Sequence, residues 1–150
     1  MLTYRKATIN DIEQMIELRK IQLIDEGLQP TDIDKELYDF FSESLSEGRL
    51  IQYLVEDGGK IVASGAVMFY DFPPSFSNPT GKKAYFANMY TDDQYRGKGI
   101  ATNLLTRLVE EVRLMGVSKI WLAASEMGRP VYKKFGFTET NEYLELNLTT

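Results

Sequence analysis

Apolar residues recur along this chain in two rhythms, period two and period near 3.6, and each rhythmic stretch ends at glycine, proline or a short polar run. Leu2 to Thr8 opens with alternation, Leu2 and Tyr4 against Thr3 and Arg5, the pattern of a strand with one buried face. Asn10 or Asp11 then caps a helix whose apolar positions Ile12, Met15, Ile16, Leu18, Ile21, Leu23 and Ile24 recur near helical spacing, with Gly27 as its stop. Pro30-Thr31-Asp32 starts a second helix, with Ile33, Leu37, Tyr38, Phe40, Phe41 and Leu45 as its apolar side and Gly48 as its end. Leu50 to Glu56 and Lys60 to Tyr70 are apolar runs joined by Asp57-Gly58-Gly59, a strong hairpin signal. The second run is long and apolar enough for a central strand. Asp71 to Lys83 holds Pro73, Pro74, Pro79, Gly81 and several serines, and predicts a mobile loop of the kind that carries function.

Tyr85 to Thr91 predicts a buried strand. Beyond it Ala101, Leu104, Leu105, Leu108, Val112 and Met115 share one helix face, closed by Gly116. Lys119 to Ala124 predicts another buried strand and Arg129 to Phe135 a short helix. Gly136-Phe137 leads into a small strand, and Tyr143 to Leu148 alternates as the last one. The predicted order is β, α, α, β, β, β, α, β, α, β, β. A hairpin together with a strand–helix–strand crossover implies an α/β (α+β) fold, a mixed sheet with helices on both faces. No repeat, low-complexity tract or linker divides the chain, so residues 1–150 read as one domain.

Composition narrows the chemistry. The 150 residues are 43% hydrophobic and 26% charged, ordinary values for a globular protein. No apolar run approaches membrane-spanning length, and no signal-peptide pattern opens the chain. Cysteine and histidine are both absent, which excludes disulfides, thiolate catalysis and the commonest metal ligands and general base. No metal site is expected. A net charge of −5 argues against a nucleic-acid partner. A cytoplasmic enzyme acting on small molecules or exposed amines fits these bounds.

The candidate chemistry sits where the Tyr85–Thr91 strand breaks at Asp92-Asp93-Gln94 and passes through two glycines into a helix. Such a turn presents bare backbone N–H groups to an anion. Gly97 and Gly99 let a phosphate approach the main chain closely, and Arg96 and Lys98 add positive charge. A P-loop reading fails, because Lys98 is followed by Gly99 and the earlier glycine is missing. A dinucleotide fingerprint is weak, because its third glycine would fall at Thr102. Gln94-Tyr95-Arg96-Gly97-Lys98-Gly99 does match Gln/Arg-x-x-Gly-x-Gly/Ala in full.

That hexapeptide resembles the pyrophosphate loop of the GCN5-related N-acetyltransferases, the GNAT family. Pro130-Val131-Tyr132-Lys133-Lys134-Phe135-Gly136-Phe137 resembles the same family's Leu-Tyr-x-x-Leu-Gly-Phe segment, with Val131 and Phe135 in place of the leucines. The resemblance implies a GNAT-type mixed, mostly antiparallel sheet and acetyl-CoA as acyl donor. It implies that backbone amides of Met89, Tyr90 and Thr91 face the pantetheine and thioester. It also implies that Gln94, Tyr95, Arg96, Gly97, Lys98, Gly99, Ile100, Ala101 and Thr102 hold the pyrophosphate. Tyr132 is then the general acid at the sulfur; read without that context it is a ring packing on the sheet. Ser125 stands where many members carry asparagine and reaches less far. The strand carries no carboxylate, so the base is left among Glu126, Asp71, Glu26 and Tyr90, with Glu126 named as the catalytic candidate. The expected function is N-acetyl transfer to a primary amine of a small molecule or peptide, a non-catalytic acyl-CoA-binding module being the alternative. The acceptor side is expected from the first two helices, the Asp71–Lys83 loop and the last strands. A homodimer is common in the family; a membrane partner is not expected.

Overall fold

The computed structural model describes residues 1–149. Five strands form one sheet in chain order: β1 (Leu2–Lys6), β2 (Leu50–Asp57), β3 (Lys60–Asp71), β4 (Lys82–Thr91) and β5 (Ile120–Leu122). The first four pair antiparallel and β5 lies parallel to β4. The β2–β3 hairpin turns through Gly58 and Gly59 at φ +59° and +85°. Positive φ at both central positions is what a tight right-twisted hairpin requires, hence the two glycines.

The helices divide between the faces. α1 (Ile12–Asp25) and α2 (Asp34–Ser46) cover one, where Ile12, Met15, Ile16 and Phe41 pack on Leu50 and Ala66. α3 (Ile100–Leu114) and α4 (Arg129–Phe135) cover the other, where Leu105, Leu108 and Val112 pack on Val67, Phe69, Ala84 and Phe86. β3 lies at the centre and is buried from Val62 through Val67, which is why it reads as a continuous apolar run. Among the described residues no helix is long and apolar enough to cross a membrane.

Two predicted strands are absent. Neither the stretch after Gly136-Phe137 nor Tyr143 to Leu148 forms a strand, and the sheet ends at the three residues of β5. Alternation specifies a half-buried strand but not its partner, and among the described residues this segment has none. The strand expected over Leu2–Thr8 stops at Lys6, because Thr8 caps the short turn that leads into α1.

That turn is clipped to the sheet. Asp11 accepts two hydrogen bonds from the Arg5 guanidinium, both 2.9 Å, and one from the Thr8 N–H at 2.8 Å. Arg5 also donates to Glu56 on β2. Arg5 holds the Asp11 carboxyl below its ordinary pKa. Its folded value lies below its unfolded one, so the stabilisation is full above the unfolded pKa and fades as pH falls through the folded one. Asp11→Asn is expected to cost about 2 kcal/mol at neutral pH, the worth of hydrogen bonds to a charged group tempered by Arg5 being partly exposed. In chemical denaturation the gap between parent and variant is expected to narrow below about pH 4.

Candidate functional site

The site begins with a fault in the β3–β4 ladder. Ala66 pairs with Ala87 and Ser64 with Tyr90, so Asn88 and Met89 stand opposite Gly65 alone. This is a β-bulge. Asn88 takes φ +55°, the one positive φ outside glycine among the described residues, and asparagine tolerates it better than most side chains. The Asn88 carbonyl accepts from Ser64 Oγ at 3.1 Å, and its side-chain amide lies 3.5 Å from Gln52 Oε1; all three residues are buried. Gly65 makes room for the bulge: a Cβ there would fall 2.7 Å from Met89 Sδ and 3.3 Å from Leu108 Cδ1. Gln22 of α1 reaches across and donates to the Met89 carbonyl at 3.2 Å.

The bulge turns β4 away from β5. Their pairing runs only from Ala84 to Phe86 against Ile120 to Leu122, and beyond it the two strands part. The gap is a cleft of about 880 Å³. β4 from Ala87 to Thr91 forms one wall; Ala123 to Gly128 with Val131 and Tyr132 forms the other. The first turn of α3 closes one end, and Gln22, Asp25 and Glu26 at the end of α1 stand at the rim.

Gly97 and Gly99 take φ +76° and +80°, and a Cβ at either would meet no atom within 4 Å. Among the described residues the N–H groups of Gly97, Gly99, Ile100, Ala101 and Thr102 donate to no backbone carbonyl. They open on the cleft at the positive end of a 15-residue helix with no side-chain cap. Such an end is an anion site built from main chain. The turn is anchored from outside: Asp92 accepts from the Gln94 N–H at 3.0 Å, Arg96 donates to the Thr91 carbonyl at 3.2 Å and pairs with Asp93, and the Tyr95 hydroxyl donates to Asp57.

Across the cleft, Tyr132 lays its ring against Gly128 and meets Phe137 edge-on at 6.0 Å. Its hydroxyl has no hydrogen-bond partner among the described residues, and burial pushes the phenol above its ordinary pKa. Burial also raises Tyr90, helped by the charges of Asp92 and Asp25. Ser125 Oγ accepts from the Gly128 N–H at 3.0 Å and so holds the turn into α4.

The structure brings most of the sequence-derived residues to this one cleft: Met89, Tyr90, Thr91, Tyr95, Arg96, Gly97, Gly99, Ile100, Ala101, Thr102, Ser125, Glu126 and Tyr132 all line it. Gln94 and Lys98 do not; Lys98 lies over the Tyr95 ring, 5.2 Å from its centroid. The Asp71–Lys83 loop contributes nothing to the cleft. It joins β3 to β4 at the end of β4 opposite the glycine turn, where Asp71 pairs with Lys82. The rim comes from Gln22 and Asp25, which sequence reasoning missed, and from Glu26. The signal for them was slight: polar residues on the last turns of a helix whose crossing over the sheet the sequence does not give.

Residues 12–137 match the acetyltransferase (GNAT) family. The fold superposes on the crystal structure of a predicted acetyltransferase with acetyl-CoA from Clostridium acetobutylicum. That protein is 50% identical, with a TM-score of 0.96 over 99% of this chain and 97% of that one. A GCN5-related N-acetyltransferase from Ralstonia eutropha is 26% identical, with a TM-score of 0.87 over 99% of this chain and all of that one. The glucosamine 6-phosphate N-acetyltransferase of Trypanosoma brucei brucei is 31% identical over 60% of this chain and 59% of its own length. The chain thus spans about three fifths of that curated relative.

Proposed function

The chain belongs to the acetyltransferase (GNAT) family, and from that premise we propose that it moves the acetyl group of acetyl-CoA by direct attack onto a primary amine of a small molecule or peptide, as a single cytoplasmic domain spanning residues 1–150. The observation that carries this reading is one cleft with an uncapped helix N-terminus at one end and a half-buried phenol on the opposite wall. The first is built for a pyrophosphate and the second for a leaving thiolate. The relative with acetyl-CoA, half identical over nearly the whole chain, supports the donor. The cleft, at about 880 Å³, lies within the range of cofactor pockets.

The chemistry divides among these groups. The amine nitrogen attacks the thioester carbonyl carbon, the carbon–sulfur bond breaks, and the sulfur leaves with the bonding pair. Beyond Phe86 the side of β4 that faces β5 has no ladder, and in this reading the main-chain N–H groups that face that side between Met89 and Thr91 meet the thioester oxygen. Fixed N–H donors stabilise developing negative charge without reorganising. Tyr132 gives its proton to the sulfur, and its raised pKa keeps that proton in place well into alkaline solution. The same shift makes Tyr90 a poor base, since a phenol that holds its proton takes none from an ammonium. Glu126 and Glu26 at the cleft are left to receive the amine proton, directly or through water.

Asp25, Glu26 and Glu126 stand at the cleft, and none joins an ion pair among the described residues. That is a surface for a cationic acceptor. Asp25→Asn, which spares both candidate bases, is expected to raise KM for amines about threefold and leave acetyl-CoA affinity unchanged. Isothermal calorimetry for the donor and steady-state kinetics for the acceptor separate the two effects. The primary test is release of free thiol from acetyl-CoA on adding polyamines, aminoglycosides, amino acids and peptides. Donor binding without thiol release for any amine would mark a binding module instead of an enzyme.

Gly128 sets the position of Tyr132. A Cβ at this glycine would fall 2.9 Å from Tyr132 Cε2 and 3.2 Å from Ser125 Oγ, so Gly128→Ala must push the ring. The backbone there is helical, at φ −80°, and accepts alanine without strain. A fall of about tenfold in kcat is expected, with little change in donor affinity, because small misplacement of a reacting group is costly. The same change in a Tyr132→Phe background should add almost nothing.

A further inference from the structure

α1 carries a polar residue on its inward stripe. Met15, Leu18, Gln22 and Asp25 follow one another at steps of three and four residues and so share one face of the helix. Met15 and Leu18 are buried, Asp25 is exposed at the rim of the cleft, and Gln22 between them is half-buried. A polar side chain on the stripe that faces the sheet needs a partner. For Gln22 that partner is main chain: Nε2 donates to the Met89 carbonyl at 3.2 Å, and among the described residues this is the one side-chain hydrogen bond between α1 and the sheet. Arg19, one turn earlier, donates to Gln22 Oε1 at 3.4 Å, which turns the amide N–H toward Met89.

The Met89 carbonyl lies on the open side of β4. In an antiparallel strand the main-chain groups of alternate residues turn to the same neighbour. The Asp92 N–H donates to the Val62 carbonyl on β3, so Tyr90, two residues back, also turns to β3, where it pairs with Ser64. Met89 and Thr91 therefore turn the other way, toward the side where β5 has parted from β4. Both of their carbonyls are taken by side chains, Met89 by Gln22 and Thr91 by Arg96. Beyond the bulge, β4 has a ladder on one side and two side-chain ties on the other.

We propose that Gln22 is a positioning residue for acetyl transfer: its hydrogen bond to Met89 fixes the bulged end of β4 against α1, and so sets the amine at the α1 rim relative to the thioester along β4. The inference rests on the acetyl-transfer reading. Its role differs from that of Asp25, which draws a cation through space; Gln22 acts through the Met89 carbonyl alone. A strand end held by one ladder beside a bulge opens more easily than one paired on both sides. A tie from the helix that carries the acceptor rim removes that freedom where the reacting atoms meet.

Two variants test it. Gln22→Leu keeps the bulk and a strong helix former but cannot donate, and Gln22→Glu keeps the length but turns a carboxylate to the carbonyl. In both, kcat at saturating acetyl-CoA and amine is expected to fall about tenfold, because small misplacement of reacting groups is costly. Acetyl-CoA affinity in calorimetry is expected to stay within about twofold, since the N–H groups of the glycine turn are untouched. Hydrogen exchange on the free protein reads the tie without any substrate: amides of Met89–Thr91 are expected to exchange at least about fivefold faster in both variants, while those of β2 keep the parent rate. Melting transitions check that both variants fold. Parent kcat or parent exchange rates in either variant overturn the proposal. So does a loss of acetyl-CoA affinity as large as the loss of kcat, which marks a general collapse of the cleft. A parent that binds acetyl-CoA but releases no thiol with any amine overturns the acetyl-transfer reading and this proposal with it. A parent that turns over while both variants match it overturns this proposal alone.

Discussion

Gly99→Val is expected to abolish acetyl-CoA binding while the protein stays folded. Gly99 sits at φ +80° at the start of α3, and a Cβ there points into space that no protein atom fills within 4 Å. In this reading the pyrophosphate fills that space, drawn by the unpaired N–H groups of the first helical turn. A valine takes the space and also strains the backbone, since a β-branched residue at positive φ is a steric outlier costing about 1–2 kcal/mol. Gly59→Val separates the two effects. Gly59, at φ +85° in the β2–β3 hairpin, is equally open and lies outside the cleft. Both variants should lose similar stability in thermal melts. Only Gly99→Val should lose acetyl-CoA, by at least about a hundredfold, or about 2.7 kcal/mol, in calorimetry. If both bind as the parent does, the glycine turn is a structural turn and no pyrophosphate site. Arg96 is tied to Asp93 and Thr91, so main-chain N–H groups rather than its charge should dominate the affinity.

Glycines, turn residues and helix faces were legible because each is a local demand written into residue type. Gly58-Gly59 announces its hairpin, and Gly97 with Gly99 announces a turn that other residues adopt only under strain. The bulge was not legible. Two residues opposite one leave no trace in hydrophobic periodicity, and Gly65 inside an apolar run with Asn88 in the next strand gave only isolated hints. The loop from Asp71 to Lys83 lies away from the cleft for a reason that topology gives. It enters the strand that the glycine turn leaves, so the two stand at opposite ends of ten residues of β4, about 30 Å apart. Gln22 and Asp25 were missed because their place depends on how α1 crosses the sheet, a tertiary fact. The tail shows the converse: its alternation predicts a strand that does not form, because a strand is a pairing and periodicity names no partner; none lies beside it among the described residues.

Tyr132→Phe carries the largest expected loss in the chemical step. The substitution keeps the ring, and with it the contacts to Gly128 and Phe137 and the place in the α4 side of the core. Only the hydroxyl goes, and it has no partner among the described residues whose loss would weaken the fold. Stability and acetyl-CoA affinity should therefore hardly move. If the hydroxyl protonates the departing sulfur, kcat should fall by about 10²–10⁴, the usual worth of a positioned acid. kcat and kcat/KM should fall together, the mark of an interaction made in the transition state. A phenol whose pKa is raised by burial gives up its proton reluctantly to a thiolate whose conjugate thiol has a pKa of about 8.5, so the transfer depends on the sulfur being close and stripped of water. An acyl donor with a more acidic thiol needs less protonation, and the penalty of the substitution should shrink with it. Should Tyr132→Phe turn over at the parent rate while chemistry limits the reaction, Tyr132 is a packing residue and the proton reaches the sulfur from water. In that case the Gly128→Ala variant should also be silent, since the ring it displaces would carry no chemistry.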